Sequence, residues 1–266
     1  MKSRHIWAAV GSSALIATVL LAAGLVYAIQ DIVNPQPAHY EGSPAAGAEA
    51  PEEDPSIEIV ALGDSLSAGI GDASGKGYVQ NVKEMLADAE DKPVNVIGNY
   101  AKPGYTTGQL LNDLQTQQGF AYAIGKADIV LLTIGGNDLF AIGQDVMQSQ
   151  TEGLDPAKVR ERMPEPLSRL EQILEKLSSM NPKATIVYVG VYNPFYDLPE
   201  MREASVYVQE WNDQAFRIAN RLPNAVVVPT FDLFQLNLSN YLYSDHFHPN
   251  RDGYVRMAER VVQALK

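Results

Sequence analysis

The sequence contains no cysteine. That absence excludes disulfides, thiolate zinc sites, a cysteine nucleophile and lipid attachment through an N-terminal cysteine. It leaves an extracytoplasmic location open, since many exported proteins do without disulfides. Basic residues are few: 20 Lys and Arg stand against 32 Asp and Glu, for a formal net charge of −12. No Lys/Arg cluster occurs, which argues against a nucleic-acid partner, because binding phosphates needs a basic patch. A glycine-rich phosphate loop is also missing. Gly69, Gly71, Gly75 and Gly77 lack both the Lys-Ser/Thr of a P-loop and the helix of a dinucleotide fingerprint. No internal repeat is visible.

What is present divides into three stretches. Lys2, Arg4 and His5 precede an uncharged run from Ile6 to Ile29. The run meets the roughly 20 residues a bilayer span requires and exceeds a signal-peptide core of about 7–15 residues. Val26-Tyr27-Ala28 offers a small-residue cleavage site. We therefore expect residues 1–29 to be a transmembrane signal anchor, or a signal helix if cleaved. Positive charge before the run and Asp31 after it place the bulk of the chain outside the membrane. The expected location is extracytoplasmic, either anchored through this helix or secreted after cleavage. Residues 30–55 carry Pro35, Pro37, Pro44, Pro51 and Pro55 among Ala, Gly and acids, with no Lys or Arg between Arg4 and Lys76. Such a stretch buries too little apolar surface to offset its ordering entropy and reads as a disordered linker. His39 within it is read as incidental.

Residues 56–266 read as one folded domain. Apolar runs at Ile57–Leu62, Val94–Gly98, Ile129–Ile134, Ala184–Val191 and Ala225–Val228 are strand candidates. Most are continuous rather than alternating, as in strands covered on both faces. Helical patterns fall between them, around Val79–Ala89, Thr107–Gln117, Leu139–Gln148, Pro166–Met180 and Arg202–Arg221. The clearest lies at the C-terminus, where Tyr254, Met257, Ala258, Val261, Val262 and Leu265 form one apolar stripe. Strand–helix alternation predicts a three-layer α/β domain with a mostly parallel sheet.

Ser65 follows the first strand directly, after Gly63 and Asp64, at the edge of the sheet where open α/β folds bind ligands. A serine nucleophile needs a base, a group to orient the base, and donors for an oxyanion. The domain has two histidines, His246 and His248, in Ser244-Asp245-His246-Phe247-His248-Pro249-Asn250. Asp245, three residues before His248, can curl back to its imidazole in a tight turn, the part played by a triad acid. His246 is expected to point elsewhere, and Pro249 to open the final helix. The alternative is that these are polar loop and capping residues. A His-x-His metal site lacks further His or Cys ligands in the domain. Gly135-Gly136-Asn137-Asp138, after the third strand, offers close backbone approach through its glycines and an amide donor in Asn137. The competing role for Asp138 is a cap on the helix that follows. Gly104, in the loop after the second strand, offers a further backbone N–H, though a turn residue is its ordinary reading.

Taken together, these stretches resemble the SGNH hydrolases, or GDSL esterase/lipase family, over nearly all of residues 57–266. Gly63-Asp64-Ser65-Leu66, Gly104, Gly135-Gly136-Asn137-Asp138 and Asp245-His246-Phe247-His248-Pro249 are similar to four of its blocks, in order. The resemblance implies a flavodoxin-like α/β/α fold with a five-stranded sheet. It implies hydrolysis of acyl esters by Ser65, His248 and Asp245, with an oxyanion hole from the Ser65 and Gly104 N–H groups and the Asn137 side chain. It implies no metal and no cofactor, and a small acyl-ester or lipid substrate. An O-acetyl esterase or acetyltransferase acting on envelope carbohydrate is the alternative for the same residues. The Gly-x-Ser-x-Gly elbow of the α/β-hydrolases is not matched, because Ser67 replaces its second glycine. Tyr105, Phe140, Tyr192, Phe195, Tyr196 and Phe247 lie in or near strand-end loops and are candidates for an apolar acyl pocket. The span Asp145–Glu165 reads as a loop plus a short helix flanking the site.

Overall fold

The structure, a computed structural model, describes residues 17–21, 24, 56–148 and 156–266. Residues 17–21 and 24 are helical; the remainder of the expected anchor and linker, up to residue 55, lies outside the described residues. Among the described residues no helix is long and apolar enough to cross a membrane. The chain divides into two compact units, Met1–Glu53 and Asp54–Lys266, and the second contains the sheet and the site.

Five strands, β1 (Ile57–Gly63), β2 (Val94–Asn99), β3 (Ile129–Thr133), β4 (Thr185–Val189) and β5 (Ala225–Val228), form one sheet in the order β2-β1-β3-β4-β5. Every pairing is parallel. Between the strands run α1 (Gly77–Glu90), α2 (Thr107–Thr116), α3 (Gln118–Lys126), α4 (Gly136–Gln148), α5 (Pro156–Arg162), α6 (Pro164–Met180) and α7 (Ala204–Ala219). After β5 come α8 (Phe231–Gln235), α9 (Leu238–Tyr241) and α10 (Arg251–Ala264).

β1 shows why the strands read as continuous apolar runs. Val60 and Leu62 enter one core cluster, with Leu110, Leu170, Ile173 and Trp211, while Ile59 and Ala61 enter the other, with Val82, Tyr254, Met257 and Val261. Successive side chains point to opposite faces, and both faces are covered by helices. The edge strand β2 instead alternates between sheltered and exposed positions. The stripe predicted on the last helix is buried at Tyr254, Met257, Ala258, Val261 and Val262.

Strand order turns back between β1 and β3. β1 leads to β2 on one side of the sheet, and the chain then crosses to β3 on the other side. In such folds the crevice at this switch point, outside the carboxyl ends of the strands, is where ligands bind.

Some expectations are adjusted. α3, α8, α9 and a 3₁₀ turn at Pro199–Met201 were not legible as periodic patterns. Within Asp145–Glu165, α4 continues through Gln148, and the short helix is α5. Pro249 does not open the last helix. Asn250 is its N-cap, accepting from the Gly253 N–H at 3.0 Å, and Pro249 bridges back to Leu242.

Candidate active site

The chain leaves β1 through Gly63, whose φ of +121° is open to glycine and strained for other residues. A Cβ there would fall 1.9 Å from the Thr133 carbonyl oxygen of β3. This close approach lets the Asp64 N–H donate to that same oxygen at 3.0 Å. Ser65 therefore stands between the ends of two central strands. It is buried, with 5% of its surface exposed.

Beneath Ser65 lies a buried polar network centred on Thr133. Its hydroxyl donates to Asp64 Oδ1 at 2.8 Å, accepts from the Ser67 N–H at 3.1 Å and lies 2.8 Å from Ser67 Oγ. Ser67 Oγ also meets the Tyr78 hydroxyl at 2.8 Å. The same Asp64 oxygen accepts from the Leu66 N–H at 3.1 Å. Asp64 is thus a turn-shaping acceptor. Burial pushes its carboxyl up to about 6, against the opposing pull of Thr133 and Leu66. Thr133 itself was missed. The available signal was a polar residue closing the otherwise apolar strand Ile129–Thr133.

The second component comes from the loop between α9 and α10. His248 Nε2 is 2.9 Å from Ser65 Oγ, and His248 Nδ1 is 2.7 Å from Asp245 Oδ2. Asp245 Oδ1 accepts from the Phe247 and His248 N–H groups, both at 3.0 Å. Partial burial alone would raise the Asp245 carboxyl. The hydrogen bonds from the His248 ring and from the His248 and Phe247 N–H groups outweigh it and hold the carboxyl below the usual range. His246, at φ +54° and exposed, takes no part in this line of contacts. A hydroxyl, an imidazole and a carboxylate in hydrogen-bonded sequence can move a proton from oxygen to nitrogen and stabilise the resulting imidazolium.

The third component is Asn137, in the first turn of α4. Its amide donates to the Tyr105 carbonyl at 2.8 Å, which leaves one of its two amide protons available. Tyr105 adjoins Gly104, whose φ of +82° requires glycine. The loop carrying both is drawn to the end of β1 by Lys102 N–H donating to the Gly63 carbonyl at 2.9 Å. Among the described residues, neither the Ser65 nor the Gly104 backbone N–H is claimed by an acceptor.

Two motif residues act differently from their expected roles. Asp138 caps not its own helix but α2, accepting from the Thr107 N–H at 2.9 Å and the Thr107 hydroxyl at 2.7 Å. Gly135, at φ +108°, makes room for protein rather than for ligand, since a Cβ there would lie 2.2 Å from the Trp211 ring.

Beside Ser65 opens a cavity of about 480 Å³. It runs along one face of α4, past Asn137, Phe140, Gly143 and Met147, and is closed on the far side by residues between Val189 and Val208. Of the six aromatic candidates, Phe140, Tyr192, Phe195 and Phe247 line it and Tyr105 and Tyr196 do not. Phe140, Phe195 and Phe247 form a mutual cluster with ring centroids 5.8–6.1 Å apart. The Phe247 ring also stands edge-on to His248 at 5.0 Å. The cavity volume suits a small ligand, and its lining is mostly apolar around a few polar groups at Ser65.

The family model for the GDSL-like lipase/acylhydrolase family matches residues 61–256. The chain is 38% identical over 215 residues to the uncharacterized protein YpmR of Bacillus subtilis (strain 168), covering 79% of this chain and 82% of that one. It is 26% identical over 206 residues to the spore germination lipase LipC of Bacillus licheniformis, covering 77% and 94%. Among solved structures, the lipase Lip_vut3 from a goat rumen metagenome superposes with a TM-score of 0.69 at 25% identity, covering 78% of this chain and 97% of the other.

Proposed function

This chain belongs to the GDSL-like lipase/acylhydrolase family and is an ester hydrolase of that family, and we propose that it cleaves carboxylic esters through Ser65, His248 and Asp245. One observation carries this reading: Ser65 Oγ, His248 Nε2, His248 Nδ1 and Asp245 Oδ2 are linked by hydrogen bonds of 2.9 and 2.7 Å. Ser65 Oγ attacks the ester carbonyl while His248 takes its proton. The imidazolium is held by Asp245, and the oxyanion by the Ser65 and Gly104 N–H groups and the Asn137 amide. His248 then returns the proton to the leaving alcohol. Water, activated by the same imidazole, releases the acid and restores Ser65.

The apolar cavity supports an acyl chain as the group bound beside the nucleophile. It weighs against the O-acetyl esterase or acetyltransferase alternative, because the methyl of an acetyl group fills little of about 480 Å³. Burial is worth about 0.8 kcal/mol per CH₂, so esters of longer acids should react with higher kcat/KM than acetates until the cavity is full. We also propose extracytoplasmic placement through the apolar segment 6–29, which rests on its length and flanking charges. The test of the chemistry is a panel of p-nitrophenyl esters with the parent and Ser65→Ala. The proposal predicts loss of hydrolysis in a variant that still folds. An undiminished rate would overturn it.

A further inference from the structure

We propose that Tyr192 is a positioning residue that aims His248 by holding the peptide group between Phe247 and His248. The inference rests on the reading of His248 as the base. That peptide is gripped from both ends. Its carbonyl, on Phe247, accepts from the Tyr192 hydroxyl at 2.7 Å. Its N–H, on His248, donates to Asp245 Oδ1 at 3.0 Å. In a trans peptide the C=O and N–H point in opposite directions, so the two bonds together fix the tilt of the plane from which His248 projects.

Apart from the His248–Ser65 bond, the other hydrogen bonds of this turn are local. Tyr243 N–H donates to the His248 carbonyl at 2.8 Å and His246 N–H to the Tyr243 carbonyl at 3.0 Å, both within the loop. Asn250 bonds the Asn240, Tyr241 and Leu242 carbonyls close by. Tyr192 comes from elsewhere, three residues past the end of β4, and reaches the loop across a sequence separation of 55.

Tyr192 is itself rigid. Its ring stacks on Phe234 of α8, with centroids 3.9 Å apart and planes within 20°. The preceding residue, Val191, exchanges two backbone bonds with the Asn212 side chain of α7, at 2.9 and 2.7 Å. The Tyr192 hydroxyl is buried, which raises its ionisation well above the ordinary range and keeps it a donor at the pH of the reaction. The carbonyl it serves can only accept, so the direction of the bond is settled. One Tyr192 side chain therefore ties the sheet to the loop that carries the base, and the same ring forms part of the acyl cavity wall.

A base displaced by a fraction of an ångström transfers protons poorly even when the fold is intact. Tyr192→Phe keeps the stacked ring and removes only the hydroxyl. In the full chain, kcat for a short p-nitrophenyl ester should fall by about tenfold with KM changed by less than threefold. The acidic limb of the kcat/KM profile, which reports ionisation of the free base, should move to lower pH, because an imidazolium less well aligned with Asp245 is less stabilised. The rate of Ser65 labelling by a fluorophosphonate should fall in step with kcat. A purely structural tyrosine would lower the melting temperature yet leave both the acidic limb and the labelling rate per folded molecule where they are, and that result would overturn the inference. Should Tyr192→Phe not fold, Phe234→Leu, which loosens the ring but keeps the hydroxyl, is read in the same way: an unmoved acidic limb counts against the inference and a shifted one for it. Failure of the parent to label at Ser65 would instead remove the reading on which the inference rests.

Discussion

Ser65 and His248 meet at 2.9 Å, yet the regions that present them are built in different ways. Asp64, Ser65, Ser67 and Thr133 are all buried, and their hydrogen bonds cross between β1 and β3. Asp245 and His246 are exposed, and the bonds of their loop run mainly among near neighbours. Ser65, the proposed nucleophile, is held by the core, so its geometry should survive as long as the sheet does. His248, the proposed base, is held by a turn and by the Tyr192 hydroxyl's bond to the Phe247 carbonyl, so its geometry can fail while the fold stands. Damage near Ser65 should therefore appear first as lost stability, and damage near His248 first as lost rate.

The largest effect tests the second half of that contrast. On the proposed mechanism, His248→Ala should reduce kcat by about 10³-fold or more, while shifting the thermal midpoint by no more than a degree or two. A large fall in melting temperature would break the contrast.

Thr133→Val tests the first half. Valine matches the shape of threonine but removes the donor to Asp64 and the acceptor for Ser67. Buried groups left without partners cost about 1–3 kcal/mol each, so urea unfolding should report a loss of about 3 kcal/mol. An effect under about 1 kcal/mol would mean that the network contributes little.

Asp64 sharpens the same point through pH. Its folded-state value of about 6 lies above the ordinary 3.8. The native state therefore binds this proton more tightly than the unfolded chain does. The stability linked to that proton is fully present below about 3.8 and is lost as pH rises to about 6. The loss is about 3 kcal/mol at neutral pH. Asp64→Asn keeps an acceptor oxygen for Thr133 and Leu66 and carries no charge, so its stability should decline less than the parent's as pH rises from about 3.8 to about 6. Parallel stability–pH curves would contradict the assignment. Asp245 has the opposite sign: held below the ordinary range, its contribution is present above that range and is lost as pH falls through the folded value.

The smallest effect belongs to the other histidine. His246→Asn tolerates the left-handed backbone and should change stability by less than about 0.5 kcal/mol and leave the esterase rate within twofold of the parent, by steady-state assay.

The same contrast explains what was legible in the sequence. All five strands were readable, the central ones because a strand buried on both faces is a continuous apolar run, as Ile59–Leu62 and Ile129–Leu132 are. The long helices were readable from their stripes. α8 and α9 were not, since helices of 5 and 4 residues never complete the two turns that reveal a period. Ser65, Asp245 and His248 stood out because few histidines are present and one of them follows an aspartate by three positions. Asn137 and Gly104 stood out by their place after strands. Thr133 and the proposed loop-holding role of Tyr192 were hidden for one reason: each works through a partner far away in sequence, and a threonine at a strand end or a tyrosine in a loop carries no local pattern for that. The second role of Gly135, making space for Trp211, and the capping of α2 by Asp138 were hidden in the same way.

Covalent labelling of the full chain by a fluorophosphonate, with the modified peptide identified by mass, tests most directly whether Ser65 is activated by His248. One labelled site is expected, at Ser65, with a labelling rate at least 100-fold lower in His248→Ala, in line with loss of a general base. Label on another residue, or equal labelling rates in the parent and His248→Ala, would contradict the activation of Ser65 by His248.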